Sequence, residues 1–338
     1  MYSWDLELDG PGQAVCGRFE RKFDRASACF RRVNDLLTMR LRRIVRSESM
    51  MQSVTYKISN TENALGVVQL TDAQKAPVRV GAVSYLNTKP LIYGLETAMN
   101  VDDELSLELP SRLAANLASQ AIDIGLIPVV EYFQNPEFSV VSDAVIACRG
   151  PVWSVRIFFR CDPSEVRTLA LDEGSRTSAA LSKVLFHARY GFVPDTIPLP
   201  MLDDPITAQA DAVLVIGDRA MHPDSYRPAF QSDWDLGQVW FEETGLPFVF
   251  AMWVARNESF ATERWRSTLE STRDEGLKHI EEISNIASER YDLTSLQCQD
   301  YLTNYIRFFL GSAERAGLAE FRRRCEALGL ISNSVQRT

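Results

Sequence analysis

Apolar and polar positions fall into two rhythms along most of this chain. Residues 78–83 (Val-Arg-Val-Gly-Ala-Val) form a short apolar run of strand length. Residues 105–109 alternate with a period of two, and residues 122–127 form a third run that ends at Pro128. Between the first two runs, Asn87-Thr88-Lys89-Pro90 predicts a helix start with a proline in its first turn. Between the second and third, Ser111 predicts the cap of a helix that carries Leu113 and Leu117 on one face. Strand–helix–strand–helix–strand is the order of a parallel sheet covered by helices.

The same rhythm returns later. Two extended segments, 139–147 and 152–160, are separated by Arg149-Gly150-Pro151. A strand at 168–171 leads to Ser175, which predicts the cap of a helix bearing Leu181, Val184 and Leu185 and stopped by Gly191. A strand at 212–216 and a long apolar extended run at 247–255 follow. From Ser259 the tail reads as helical. Trp265, Leu269, Ile280 and Ile283 suggest one helix, Tyr301, Leu302, Tyr305 and Phe308 a second stopped by Gly311, and Leu318, Phe321 and Leu328 a third stopped by Gly329.

Two α/β units joined by two extended crossings predict two lobes with paired hinge strands. The expected class is α/β, a two-lobed periplasmic-binding-protein-like (type II) fold with two hinge strands and a C-terminal helical segment. Such lobes close over a ligand by hinge motion. The expected organisation is an N-terminal extension, poorly ordered, over 1–77; a first part of lobe one over 78–152; lobe two over 153–247; and over 248–338 a return to lobe one plus the C-terminal helices.

Composition narrows the function. The 338 residues are 46% hydrophobic and 24% charged, with a net charge of -9, an acidic balance that argues against nucleic acid as the main partner. The charge is uneven. Residues 1–77 hold 12 Lys and Arg against 9 Asp and Glu, for +3, with most of the excess between Arg18 and Arg46. A membrane- or RNA-binding arm, a targeting peptide, or an extension outside the folded core would each fit, and the last is favoured because Met50-Met51 and a polar linker-like stretch follow. Phe30, Val33, Leu36, Leu37 and Leu41 fit a helix within 26–45. No run reaches the 18 or so apolar residues of a membrane span, and residues 1–30 lack the apolar core of a signal peptide; a cytoplasmic protein is expected. Cys16, Cys29, Cys148, Cys161, Cys298 and Cys325 form no CxxC pair, and the three histidines are scattered, so reduced thiols and no zinc site are expected. The oligomeric state is left open.

Ligands of open α/β sheets bind beyond the carboxyl ends of the strands. Four such ends carry donors: Ser84-Tyr85-Leu86-Asn87, Pro110-Ser111-Arg112, Glu173-Gly174-Ser175-Arg176-Thr177-Ser178 and Gly217-Asp218-Arg219. Free N–H groups and the positive end of the helix dipole suit a small anion there. Ser111 alone reads more simply as a cap, and a self-contained surface ion pair is an alternative reading of Asp218-Arg219. Gly150 and Ser154 fall where the crossing meets the cleft. Trp153, Trp253, Phe248 and Phe250 read as hinge core, and Cys148 as a small buried hydrophobe. GxSxG, HExxH, Walker and dinucleotide-binding glycine motifs are missing, so an enzyme here would hold and polarise its substrate with neither metal nor nucleotide.

Six ordered segments carry a resemblance. They are Val80-Gly81-Ala82-Val83-Ser84-Tyr85-Leu86-Asn87-Thr88-Lys89-Pro90-Leu91, Ile127-Pro128-Val129-Val130-Glu131-Tyr132, Ala147 to Val155 through Arg149-Gly150-Pro151, Asp172 to Ser178, Ile216 to Ala220, and Leu246 to Ala251. Over roughly residues 78–331 the chain resembles the chorismate dehydratases of menaquinone biosynthesis by the futalosine pathway; residues 1–77 have no counterpart. The resemblance implies a lyase without a cofactor that converts chorismate to 3-[(1-carboxyvinyl)oxy]benzoate and water. A sister family, which makes a dihydroxynaphthoate, opens with Ser-Pro-Cys-Pro-Asn-Asp-Thr where this chain has Ser84-Tyr85-Leu86-Asn87. A cytosolic small-anion sensor and a solute-binding subunit are the remaining alternatives. With chorismate as ligand, Asn87 and Ser154 are assigned to catalysis. Ser84, Tyr85, Ser111, Arg112, Gly150, Ser175, Arg176, Thr177, Gly217 and Asp218 are assigned to substrate binding. No protein base is evident, and the substrate's own enolpyruvyl carboxylate is the candidate proton acceptor.

Overall fold

The computed structural model describes residues 77–332. The basic arm and the helix expected within 26–45 lie outside these residues, as do Cys16 and Cys29. The described chain builds two sheets. The first holds β1 (Arg79–Val83), β2 (Glu104–Glu108), β3 (Ile124–Pro128), β4 (Ser139–Cys148), β10 (Phe248–Ala255) and β11 (Arg307–Phe309), in the order β11-β4-β10-β3-β1-β2. The second holds β5 (Val155–Phe159), β6 (Thr168–Asp172), β7 (Asp195–Leu199), β8 (Ala212–Ile216) and β9 (Ser232–Asp235), in the order β7-β6-β8-β5-β9.

β1 runs parallel to β2 and β3, and β6 parallel to β7 and β8. These are the two repeated units that the sequence rhythm predicts. β10 is antiparallel to both β3 and β4, so the returning chain is clamped into the middle of the first sheet. Burial explains the composition: every residue of β3 and of β8 is buried, and their sequences are apolar almost throughout.

The helices are α1 (Leu95–Ala98), α2 (Pro110–Ala118), α3 (Val129–Gln134), α4 (Arg176–Tyr190), α5 (Leu236–Thr244), α6 (Glu263–Lys278), α7 (Ile280–Tyr291), α8 (Ser295–Asp300) and α9 (Ser312–Ala327). A 3₁₀ helix, Leu86–Ile92, follows β1, and a π-helix, Tyr301–Tyr305, follows α8. Trp240 of α5, Phe248 of β10 and Phe321 of α9 pack edge to face, with ring centroids 4.8 to 6.0 Å apart. α6 lies against the 3₁₀ helix so closely that a Cβ on Gly276 would come within 2.0 Å of the Pro90 carbonyl oxygen. Only glycine permits that approach.

Several expectations are corrected. Ser111 does not cap α2; Leu109 holds that position and Pro110 opens the helix, a place where a missing N–H costs nothing. The segment at Asn87 is 3₁₀ rather than α, begins at Leu86 and carries Pro90 inside it. The single helix read from Trp265 to Ile283 is two, α6 and α7, broken at His279. The helix read from Tyr301 to Phe308 becomes a π-helix followed by β11, which pairs with β4 at the sheet edge. The chain leaves the first sheet after Cys148 through a bend, and it comes back to that sheet through α5, the Gly245 turn and β10.

Candidate functional site

The outgoing bend sets the site. Gly150 (φ +91°) and Trp153 (φ +63°) both take left-handed backbone there. For a tryptophan that conformation is strained, and it must be held by its surroundings. The Asp235 carboxylate does so. It accepts from the N–H groups of Val152 at 2.9 Å and Trp153 at 2.7 Å, and as the cap of α5 it also accepts from Gln238 at 3.1 Å. The Trp153 ring rests edge-on against Tyr301, centroids 5.9 Å apart. The bend delivers Ser154, 2% exposed, to the floor of a cleft between the two sheets.

That cleft is narrow, with a free volume of about 70 Å³. Tyr85 and Asn87 reach it from the first strand end, Pro110 from the second, Ser154 from the bend, and Ser175 and Gly217 from the second sheet. Phe250, read from the sequence as hinge core, lines it as well, as does Ser178. Among the described residues, no side chain lining it is charged. An anion bound there would be held by hydroxyls, an amide and the first N–H groups of α4, where the helix dipole is positive.

The polar groups form defined chains. Ser175 caps α4, accepting from the Ser178 N–H at 3.1 Å and donating its own proton to Ser178 Oγ at 2.7 Å. Asn87 Nδ2 donates to the Tyr301 hydroxyl at 3.1 Å, which donates to Ser154 Oγ at 2.8 Å. Asn87 Oδ1 is buried and has no partner, and so is the Tyr85 hydroxyl. Burial pushes the Tyr85 phenol pKa up, helped by the charges of Asp172 and Asp218. The Tyr85 ring crosses to the second sheet and lies against Gly217, whose φ is +65°; a Cβ there would stand 3.2 Å from Tyr85 Cε1. Gly217 N–H donates to the Ser154 carbonyl at 2.8 Å, tying bend and strand end together.

The other expected residues stand elsewhere. Ser84 lies behind the cleft, its carbonyl accepting from the Tyr291 hydroxyl at 2.9 Å. Ser111 is the second residue of α2, and Arg112 is exposed on that helix. Gly150 faces α5, where a Cβ would meet Gln238. Arg176 turns out of the cleft and pairs with Glu131 of α3 at 2.8 Å. Thr177 is buried, its hydroxyl accepting from the Val130 N–H at 3.4 Å. These two contacts tie the helices of the two sheets rather than line the cleft. Asp218 and Arg219 do not pair with each other. Arg219 binds Asp172 at 2.6 Å, and Asp172 also accepts from the Gly174 N–H at 2.9 Å, shaping the strand end before α4. Asp218 is off the cleft wall, and burial pushes its pKa up to about 6 against the nearby charges of Arg290, His222 and Lys89. His222 itself lies close to the Tyr291 carbonyl, 3.2 Å away. Cys148 is fully buried, and burial raises its thiol pKa, as fits a packing residue. Tyr301 was missed, since nothing local in the sequence marks a residue that joins the site from over 200 positions away.

Comparison with known proteins fits this architecture. Solved structures with similar folds include an Archaeoglobus fulgidus protein (TM-score 0.61, 15% identity, covering 76% of this chain and 99% of that one). A Candida albicans gene product described as having the generic periplasmic binding protein fold aligns with TM-score 0.54 and 12% identity, over 76% and 92% of the two chains. The Escherichia coli periplasmic aliphatic sulphonate binding protein SsuA aligns with TM-score 0.51 and 13% identity, over 77% and 95%. At these identities the likeness concerns the fold, which is the two-lobed periplasmic-binding-protein type. In sequence, the chain is 29% identical to a chorismate dehydratase of Thermus thermophilus over 75% of this chain and 96% of the relative. It is 26% identical to a chorismate dehydratase of Campylobacter jejuni over 74% and 98%. Residues 78–327, spanning both sheets and every wall of the cleft, match the menaquinone biosynthesis family, and the chain belongs to that family.

Proposed function

We propose that this protein is a chorismate dehydratase, a hydro-lyase that converts chorismate to 3-[(1-carboxyvinyl)oxy]benzoate and water in the cleft around Asn87 and Ser154. The observation that carries the reading is the likeness to two chorismate dehydratases along nearly their whole length, through the body that holds the cleft.

The geometry supports a mechanism. Chorismate brings two carboxylates and a hydroxyl beside the ring carbon that bears the enol ether. The open acceptor in the cleft is Asn87 Oδ1; an acceptor suits a hydroxyl rather than a carboxylate, so Asn87 would orient the leaving hydroxyl. The Ser154 hydroxyl already accepts from Tyr301, which leaves its own proton to donate to a carboxylate. Ser178 stands the same way beside Ser175. Donors fixed before the reaction stabilise charge as the ring proton leaves and the anion spreads onto the ring carboxylate.

No carboxylate, histidine or lysine lines the cleft among the described residues. Its one titratable wall group, Tyr85, has a raised pKa and would have to give up a proton before it could take one. The substrate's enolpyruvyl carboxylate is the base that remains. It takes the proton from the neighbouring ring carbon, the C–O bond to the hydroxyl breaks, and the proton departs with that oxygen as water. The product ring is aromatic, which makes the step strongly downhill.

The test is to mix the purified full chain with chorismate in chelator-containing buffer and follow the ultraviolet absorbance of the aromatic product. The reading expects product lighter than chorismate by one water. Chorismate that binds but is recovered intact would make the protein a sensor instead.

A further inference from the structure

Tyr301 fills the core at the back of the cleft and is 1% exposed. It opens the π-helix Tyr301–Tyr305, a backbone form that is rare and concentrates at functional sites. The wider turn brings its hydroxyl to a place where two distant segments meet, Asn87 of the 3₁₀ helix and Ser154 of the bend. A tyrosine hydroxyl has one proton. Here it goes to Ser154 Oγ, so towards Asn87 the phenol can only accept. The amide must then present its NH₂ to Tyr301, which turns Oδ1 the other way. That oxygen is the buried atom without a partner.

We infer that Tyr301 is a positioning residue: it sets which end of the Asn87 amide faces the substrate and holds the Ser154 hydroxyl as a donor into the cleft. The inference rests on the dehydratase reading above. Burial raises the phenol pKa well beyond its ordinary value, against the pull of its hydrogen bonds to Ser154 and Asn87. The group therefore stays protonated at working pH, and the bond to Ser154 gives its proton a direction. Without the phenol oxygen, Asn87 is free to flip, and a flipped amide presents a donor to the leaving hydroxyl.

Tyr301→Phe removes that one oxygen and keeps the ring against Trp153. The expected result is a fall in kcat of about 10-fold or more, with KM moving by less than about 3-fold, because the lost interaction acts mainly in the transition state. In an Asn87→Leu background the same change should cost clearly less than it does alone, since only the hold on Ser154 is then left to lose. Full additivity of the two losses, or a lower melting midpoint with unchanged kcat, would overturn the inference and leave Tyr301 as packing. If Tyr301→Phe does not fold, 3-fluorotyrosine at 301 keeps the contacts while weakening the acceptor. A changed kcat at constant KM then supports the inference, and an unchanged kcat overturns it. The unaltered protein is assayed alongside: if it leaves chorismate intact, the dehydratase reading fails and this inference with it, whereas an active wild type with additive variants defeats this inference alone.

Discussion

The ring of Tyr85, carried by the end of the first strand of one sheet, lies against the backbone of Gly217, at the end of a central strand of the other. A side chain at Gly217 is disfavoured on two counts: the backbone φ is +65°, and a Cβ would stand 3.2 Å from the ring, which would have to give way. Gly217→Ala is expected to cost about 1 kcal/mol through the left-handed backbone alone, and more as Tyr85 is displaced. Thermal unfolding measures the loss. Turnover should fall with it, because the same ring forms a wall of the cleft; an alanine variant with unchanged melting and rate would show that the ring moves aside freely.

Ser175 and Thr177 are two positions apart in one motif yet should respond differently. Ser175 lines the cleft, and Thr177 is buried beneath the Val130 N–H. Ser175→Ala should raise KM for chorismate and lower the melting point only by the value of a lost cap, about 1 kcal/mol. Thr177→Ala should lower the melting point and leave KM nearly unchanged. Steady-state kinetics and melting of the two variants, side by side, give the comparison; the reverse pattern would put Thr177 in the substrate site.

Asp218 gives a pH dependence with a definite sign. Its folded pKa of about 6 lies above the ordinary carboxylate value, because burial penalises the charge more than Arg290, His222 and Lys89 favour it. Between the ordinary value and about 6, the folded state holds a proton that the unfolded state has lost, so this group makes stability fall as pH rises through that window. Asp218→Asn removes the charge. Its melting point should exceed that of the wild type at pH 7.5, and the difference should shrink at pH 5. A variant less stable at pH 7.5 would mean that attraction to Lys89 and Arg290 outweighs burial.

Much of this was legible in the sequence, for physical reasons. β1, β3, β8 and β10 are buried and apolar, and such runs announce themselves. β7 is an exposed edge strand that contains Pro198, β9 has four mostly polar residues, and β11 has three, so none carries a pattern. Tyr301, Leu302, Tyr305 and Phe308 mimic helical spacing, and pairing with β4 overrides it. Within the site, the strand ends pointed to Tyr85, Asn87, Ser175 and Gly217, and the crossing to Ser154. The motif could not say which of its members face the cleft. Successive residues of a helix point about 100° apart, and Arg176 and Thr177 consequently meet Glu131 and Val130 instead.

Asn87→Leu tests most directly that this cleft performs the dehydration. It keeps a similar volume and removes both the bond to Tyr301 and the open acceptor. Chorismate binding is read by calorimetry and turnover by the absorbance of the aromatic product. The account predicts that the wild type forms product, and that the variant still binds chorismate but turns it over about 10²-fold more slowly or worse. A variant that runs at close to the wild-type rate would contradict it and place the chemistry elsewhere.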